Sequence, residues 1–472
     1  MSDVLIRNAA AILTGARAEA ARVSGPDIRV RGDKIAAIGA LEPEPGEATI
    51  DATDCVVYPA WVNTHHHLFQ SLLKGEPKGL NATLTPWLAA TPYRFRAGFD
   101  AQRFRLAARI GLVELALSGC GTVADHNYLY YPGMPFDASA ILFDEADRFG
   151  LRFVLCRGGA TLTRQLEANL PLALRPETLD AYLVDLERLA VEFHDPAADA
   201  FRRVVAAPTT PLFSMRPAEL RETAQTARRL GLRLHSHLSE TVSYQDAAHA
   251  QHGMSAIRFA NEVGFLGADV WFAHLVKLDA DEIALLGATG TGIAHCPQSN
   301  GRLASGIAPV RALEDAGVTV SIGVDGAASN EAADMISEVH AAWLMQRARG
   351  GEAAVAIHRG GAGEAGAADA SVEDVVRWGT AGGAQVLGLT ATGCLAPGMA
   401  ADIAVYALDR DPRHFGLHDV AVAPVASAGR AHLRALLVGG RRVVEHGAIP
   451  HLDLAELGHE ARAAVHQLRA WA

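Results

Sequence analysis

Apolar positions fall into two patterns along this chain. Near both ends they sit in short alternating runs broken by Gly and Asp, which predict paired β segments at 4–10, 28–39, 398–406 and 433–444. From residue 56 to about 387 the pattern changes to short continuous apolar runs, separated by long stretches with an apolar residue every three to four positions. Such runs predict strands buried on both faces, alternating with amphipathic helices. Eight strands are expected, at 56–62, 121–126, 152–157, 203–208, 233–237, 270–274, 292–296 and 318–325. Eight βα units predict a TIM-type (β/α)8 barrel. An open dinucleotide-binding sheet is disfavoured, because no Gly-x-Gly-x-x-Gly follows the first strand. The predicted organisation is a small β-sandwich domain built from both chain ends (1–58, and 389–472 with a terminal helix) beside a barrel spanning 59–388.

Charge and composition narrow the function. The net charge is −11 and no basic cluster could track phosphates, which argues against nucleic acid and anionic membranes as partners. No apolar run reaches the roughly 18 to 20 residues of a membrane helix. The first residues lack a basic segment followed by an apolar core, so a cytoplasmic location is expected. Five scattered cysteines form no Cys-x-x-Cys pair, leaving His and carboxylates as the candidate metal ligands.

Those residues occur where barrels place their chemistry, at the C-terminal ends of strands. The first strand ends Asn63-Thr64-His65-His66-His67, the fifth His235-Ser236-His237-Leu238-Ser239-Glu240, the sixth at His274, the seventh His295-Cys296-Pro297-Gln298-Ser299-Asn300 and the eighth Val324-Asp325-Gly326. Side chains alternate faces with period two, so His65 and His67 share a face and His66 turns away, towards the helices. Taken singly, each has a plainer reading. Paired histidines also satisfy local hydrogen bonds, His235 suits a hydrogen-bonded interior position, and His295 divides evenly between structural and supporting roles. A buried lone Asp325 is costly without a metal, a cation or several donors.

In this order and spacing, Asn63-Thr64-His65-x-His67, His237-x-x-Glu240, His274, His295-Cys296-Pro297-x-Ser299-Asn300 and Gly323-Val324-Asp325-Gly326-x-x-Ser329-Asn330 resemble the amidohydrolase superfamily. The resemblance is to its aminohydrolase branch, which deaminates nucleobases, pterins and related rings, and it covers nearly the whole chain. It implies His65, His67, His237 and Asp325 as metal ligands; three imidazoles and a carboxylate with an open position suit catalytic zinc, with Fe2+ as the other option. Two-metal members carry a carboxylated lysine at the end of the fourth strand. None occurs in 203–210 here, so one metal per chain is expected.

The resemblance further implies hydrolytic deamination of a heterocycle, a pterin such as isoxanthopterin. Glu240 would protonate the ring, His274 would orient water, and Asp325 would accept a proton besides binding metal. Expected substrate contacts are Gln70, Trp87 and Arg94 from the loop after the first strand, Tyr128 after the second, and Arg157 at the end of the third, with Gln70 and Arg157 preferred for their nearness to strand ends. Arg94 and Arg96 also read as surface charges. Alternatives are an 8-oxoguanine- or guanine-type deaminase, a triazine- or hydantoin-type hydrolase, and, disfavoured, a non-enzymatic scaffold. Homo-oligomerisation is left open.

Overall fold

The computed structural model describes residues 3–163, 170–359, 370–429 and 432–471. Eight parallel strands run Trp61–Asn63, Cys120–Asn127, Arg152–Gly159, Arg202–Pro208, Arg233–Leu238, Val270–His274, Gly292–His295 and Val320–Ile322, each paired with the next. The ring closes where the Thr64 amide donates to the Ile322 carbonyl at 3.0 Å. Helices lie between successive strands, and several begin where a polar side chain accepts a first-turn N–H: Asp100, Thr178, Thr241 and Asp279 all do so.

Two expected strands differ in extent. The predicted strand 56–62 is two strands in different sheets. Cys55–Pro59 pairs antiparallel with Ile403–Ala407, and the barrel begins only at Trp61. Pro59 has no N–H to continue the ladder. At the next residue the backbone changes partners, with Ala60 N donating to Asp402 O (3.0 Å) and Trp61 N to Gly119 O (2.9 Å). The eighth strand stops at Ile322, because Val324 N is taken by the Asn63 side chain at 2.9 Å and Asp325 adopts a left-handed φ of 62°.

The chain ends form a β-sandwich. One sheet orders Lys34–Gly39, Asp27–Arg31, Val4–Arg7 and Ala48–Asp51. The other orders Arg441–Glu445, Leu433–Val438, Ile403–Ala407, Cys55–Pro59 and Ala11–Ile12, mixing both termini. Ile6, Ile28 and Val30 of the first share one core with Val57, Ile403, Val405 and Leu437 of the second. Arg152, at the base of the third barrel strand, joins sandwich to barrel. Its guanidinium makes a forked pair with Asp402 (2.7 and 3.1 Å) and lies 4.2 Å from the centre of the Phe201 ring. The terminal helix Leu454–Trp471 packs against the helix Ala101–Leu117.

Candidate metal centre and cavity

Chain alternation carries His65 and His67 into the barrel mouth and His66 outward, where a Cβ added at Gly111 of the neighbouring helix would lie 3.2 Å from its Nε2. The fifth and eighth strands deliver His237 and Asp325 to the same place. One ligand atom from each of His65, His67, His237 and Asp325 lies within 4.8 Å of the others. His65 Nε2 and His67 Nε2 stand 3.4 and 3.2 Å from Asp325 Oδ1, and His67 Nε2 is 3.2 Å from His237 Nε2. Gly323 permits this approach, since a Cβ there would sit 2.6 Å from the His65 Cβ.

Hydrogen bonds fix which imidazole nitrogens are bare. His67 Nδ1 faces the His126 carbonyl at 2.7 Å and His237 Nδ1 the Thr209 carbonyl at 2.6 Å. A carbonyl only accepts, so both Nδ1 atoms carry the proton and both Nε2 atoms present lone pairs. His65 reaches the same state through a relay. His235 Nδ1 faces the Trp271 carbonyl at 2.9 Å and therefore donates. Burial pushes the His235 pKa down to about 3, so its Nε2 is free to accept from His65 Nδ1 at 2.8 Å. His65 Nε2 then lies buried with no hydrogen-bond partner. Three convergent lone pairs beside a carboxylate are a donor set that a divalent cation satisfies and a proton network does not. Among the described residues, His65, His126 and His235 form a second such group, but the His65–His235 hydrogen bond already occupies the atoms they turn to each other.

The acid–base candidates stand beside this cluster. His274 Nε2 is 3.8 Å from Glu240 Oε2 and 4.0 Å from Asp325 Oδ2. Burial raises the Glu240 pKa. The segment after the seventh strand holds all three groups: Ser299 Oγ donates to Asp325 (2.6 Å), Asn300 Oδ1 meets His274 Nδ1 (2.9 Å) and Ser305 Oγ donates to Glu240 (2.9 Å). Ser239, His274 and Asp325 all have positive φ, backbone strain of the kind that collects at functional sites. Sequence reading assigned no role to Ser305 and only a plain interior position to His235; the relay from His235 to His65 depends on pairing across the barrel.

Above the cluster a cavity of about 1310 Å³, counted with its open mouth, is lined by His67, Gln70, Trp87, Tyr128, His237, Glu240, His274 and Asp325. Gln70 Nε2 donates to Tyr128 Oη (2.8 Å), leaving the buried Gln70 Oε1 without a partner. Trp87 is anchored by its indole N–H on the Ala328 carbonyl (2.9 Å). Arg157, expected at the substrate, lines a different pocket with Tyr131 and Arg188. It does not line this cavity but points away from it, paired with Glu177 (2.7 Å) and Asp185 (2.9 Å) and stacked on Tyr130. Arg94 likewise pairs with Glu76 at 3.1 Å. Arg96, two residues on, lines the cavity instead.

Fold and site together define a barrel hydrolase with a His/carboxylate centre at the strand ends. The chain belongs to the Amidohydrolase family, whose sequence profile matches residues 56–443. It is 69% identical over 469 residues to an isoxanthopterin deaminase from an unknown prokaryotic organism, covering 99% of this chain and 97% of that protein. It is 38% identical over 472 residues to the 8-oxoguanine deaminase of Pseudomonas aeruginosa, covering 100% of both. Among solved structures it is similar to the zinc complex of atrazine chlorohydrolase TrzN from Arthrobacter aurescens TC1. The TM-score is 0.87 at 27% identity, covering 98% of this chain and 100% of that one.

Proposed function

We propose that the protein is a zinc-dependent deaminase of isoxanthopterin or a closely related pterin, replacing a ring C–NH2 by C=O with release of ammonia. The geometric observation that carries this reading is the placement of Glu240 and His274 beside the four-residue cluster on the floor of one cavity. The substrate assignment rests on the 69% identity to a protein of that name. His65, His67, His237 and Asp325 would hold one zinc ion, which when bound supplies Lewis acidity and lowers the pKa of water to about 7.

The chain's own residues then have distinct tasks. Asp325 Oδ2, fixed by Ser299, takes a proton from the attacking water and passes it to the departing amino group, so that the C–N bond breaks with ammonia as the leaving group. Glu240 has a raised pKa and so keeps its proton closer to neutrality; it delivers that proton to the ring nitrogen next to the attacked carbon. His274, oriented by Asn300, holds the water and the developing oxyanion. Gln70, whose buried Oε1 lacks a donor, lines the cavity beside Trp87 and Tyr128, which supply aromatic walls.

Glu240→Gln should keep one metal per chain and lose about 10²- to 10⁴-fold in turnover. Elemental analysis together with an ammonia-coupled assay checks this, and near-normal turnover removes Glu240 from the acid role. Deamination of 8-oxoguanine is the second reading, favoured by the 38% relative. An assay panel of isoxanthopterin, pterin, 8-oxoguanine and guanine separates the two.

A further inference from the structure

We propose that Arg96 selects the substrate by binding an oxygen-bearing edge of the heterocycle, most strongly when loss of a lactam proton leaves that oxygen anionic. The inference rests on the deaminase reading of the same cavity, since it names what the cavity recognises.

Arg96 follows the short helix Pro92–Phe95 and lines the cavity that contains Glu240 and Asp325. Its backbone turns there into a 3-10 segment, Arg96–Gly98, and the side chain is half-buried. One terminal nitrogen donates to the Tyr130 carbonyl at 2.6 Å. Nε is sealed from solvent without an acceptor, and among the described residues no carboxylate lies within ion-pair distance. Neighbouring arginines differ: Arg94 has Glu76, and Arg157 has Glu177 and Asp185. Burial pushes the Arg96 pKa down, opposed by Tyr128, Tyr93, Glu177 and Tyr131; of these, Glu177 is already paired to Arg157.

A guanidinium partly withdrawn from water, with no counter-charge among the described residues, gains most from an anion or strong acceptor that arrives to meet it. The cavity's own acids do not serve. Asp325 is held against His65 and His67, and Glu240 against Ser305 and His274. Among the described residues no group answers this charge, and the partner we assign to it enters with the ligand. Gln70, which lines the same cavity, carries a buried Oε1 that lacks a donor. An unfilled acceptor and an uncompensated cation on one aromatic-walled cavity match a flat ring that offers an N–H and an exocyclic oxygen, the two halves of a lactam.

Isoxanthopterin and pterin differ by one ring oxygen, which makes them the probes. In metal-replete Glu240→Gln protein, which holds substrate without consuming it, their dissociation constants are read from ligand fluorescence. Isoxanthopterin should bind about 10- to 100-fold more tightly than pterin. Adding Arg96→Met should erase most of that preference, and Arg96→Lys should restore part of it with metal content unchanged. A preference that survives Arg96→Met, equal affinities in the parent protein, or no binding of either ligand overturns the proposal. Ammonia release by the unmodified enzyme reads the deaminase assignment separately. An Arg96-dependent preference without ammonia removes the reaction and keeps the selector, and ammonia with an Arg96-independent preference does the reverse.

Discussion

Asp125, in the second barrel strand, is a fully buried carboxyl. One oxygen accepts the Leu68 amide at 2.7 Å and the other has no partner. Burial pushes its pKa from 3.8 up to about 7, which the Leu68 hydrogen bond only partly opposes. A raised carboxyl binds more protons folded than unfolded. Its contribution is therefore present at low pH and is lost as pH climbs from the unfolded value through the folded one, by up to about 4 kcal/mol. Asp125→Asn should consequently gain on the parent in melting temperature as pH rises from 5 to 9; a difference that stays flat with pH contradicts this. At this scale, strand periodicity put His65 and His67 on one face, and the family resemblance joined His237 and Asp325 to them. Loop residues were harder to place. Arg157 was favoured for its nearness to a strand end, yet it turns outward to Glu177 and Asp185, while Arg96, read as a surface charge, lines the cavity. Only the folded path of the loop after the first strand decides between Arg94 and Arg96.

Two short elements do most to join the parts of the protein. The segment after the seventh strand gathers Ser299, Asn300 and Ser305 onto Asp325, His274 and Glu240, so one loop sets the geometry of three candidate catalytic groups. The Pro59–Ala60 step passes the chain from sandwich to barrel, a change of sheet hidden inside one uninterrupted apolar run. Its neighbour Asp402 accepts Ala60 N through its carbonyl, and its side chain accepts from Arg152 and from Gly439 N at 2.6 Å. Asp402→Ala would strand the buried Arg152 guanidinium without its counter-charge, a change expected to cost about 3–5 kcal/mol. Chemical denaturation measures it, and a loss below ~1 kcal/mol would mean the pair does not hold the two units together.

For the whole molecule, barrel closure explains how the candidate ligands His65, His67, His237 and Asp325 reach one point. Eight βα units were readable because most strands carry a short apolar run bounded by a long amphipathic stretch. Strand limits and cross-barrel hydrogen bonds were not, because they depend on partners distant in sequence, such as His65 with His235. The central claim, that this family member is a metal-dependent pterin deaminase, is tested most directly by ammonia release from isoxanthopterin before and after metal removal. Saturable release, loss of activity after chelation and recovery with one equivalent of zinc per chain are expected. No ammonia from the metal-replete protein, or release that persists after the metal is gone, would contradict it.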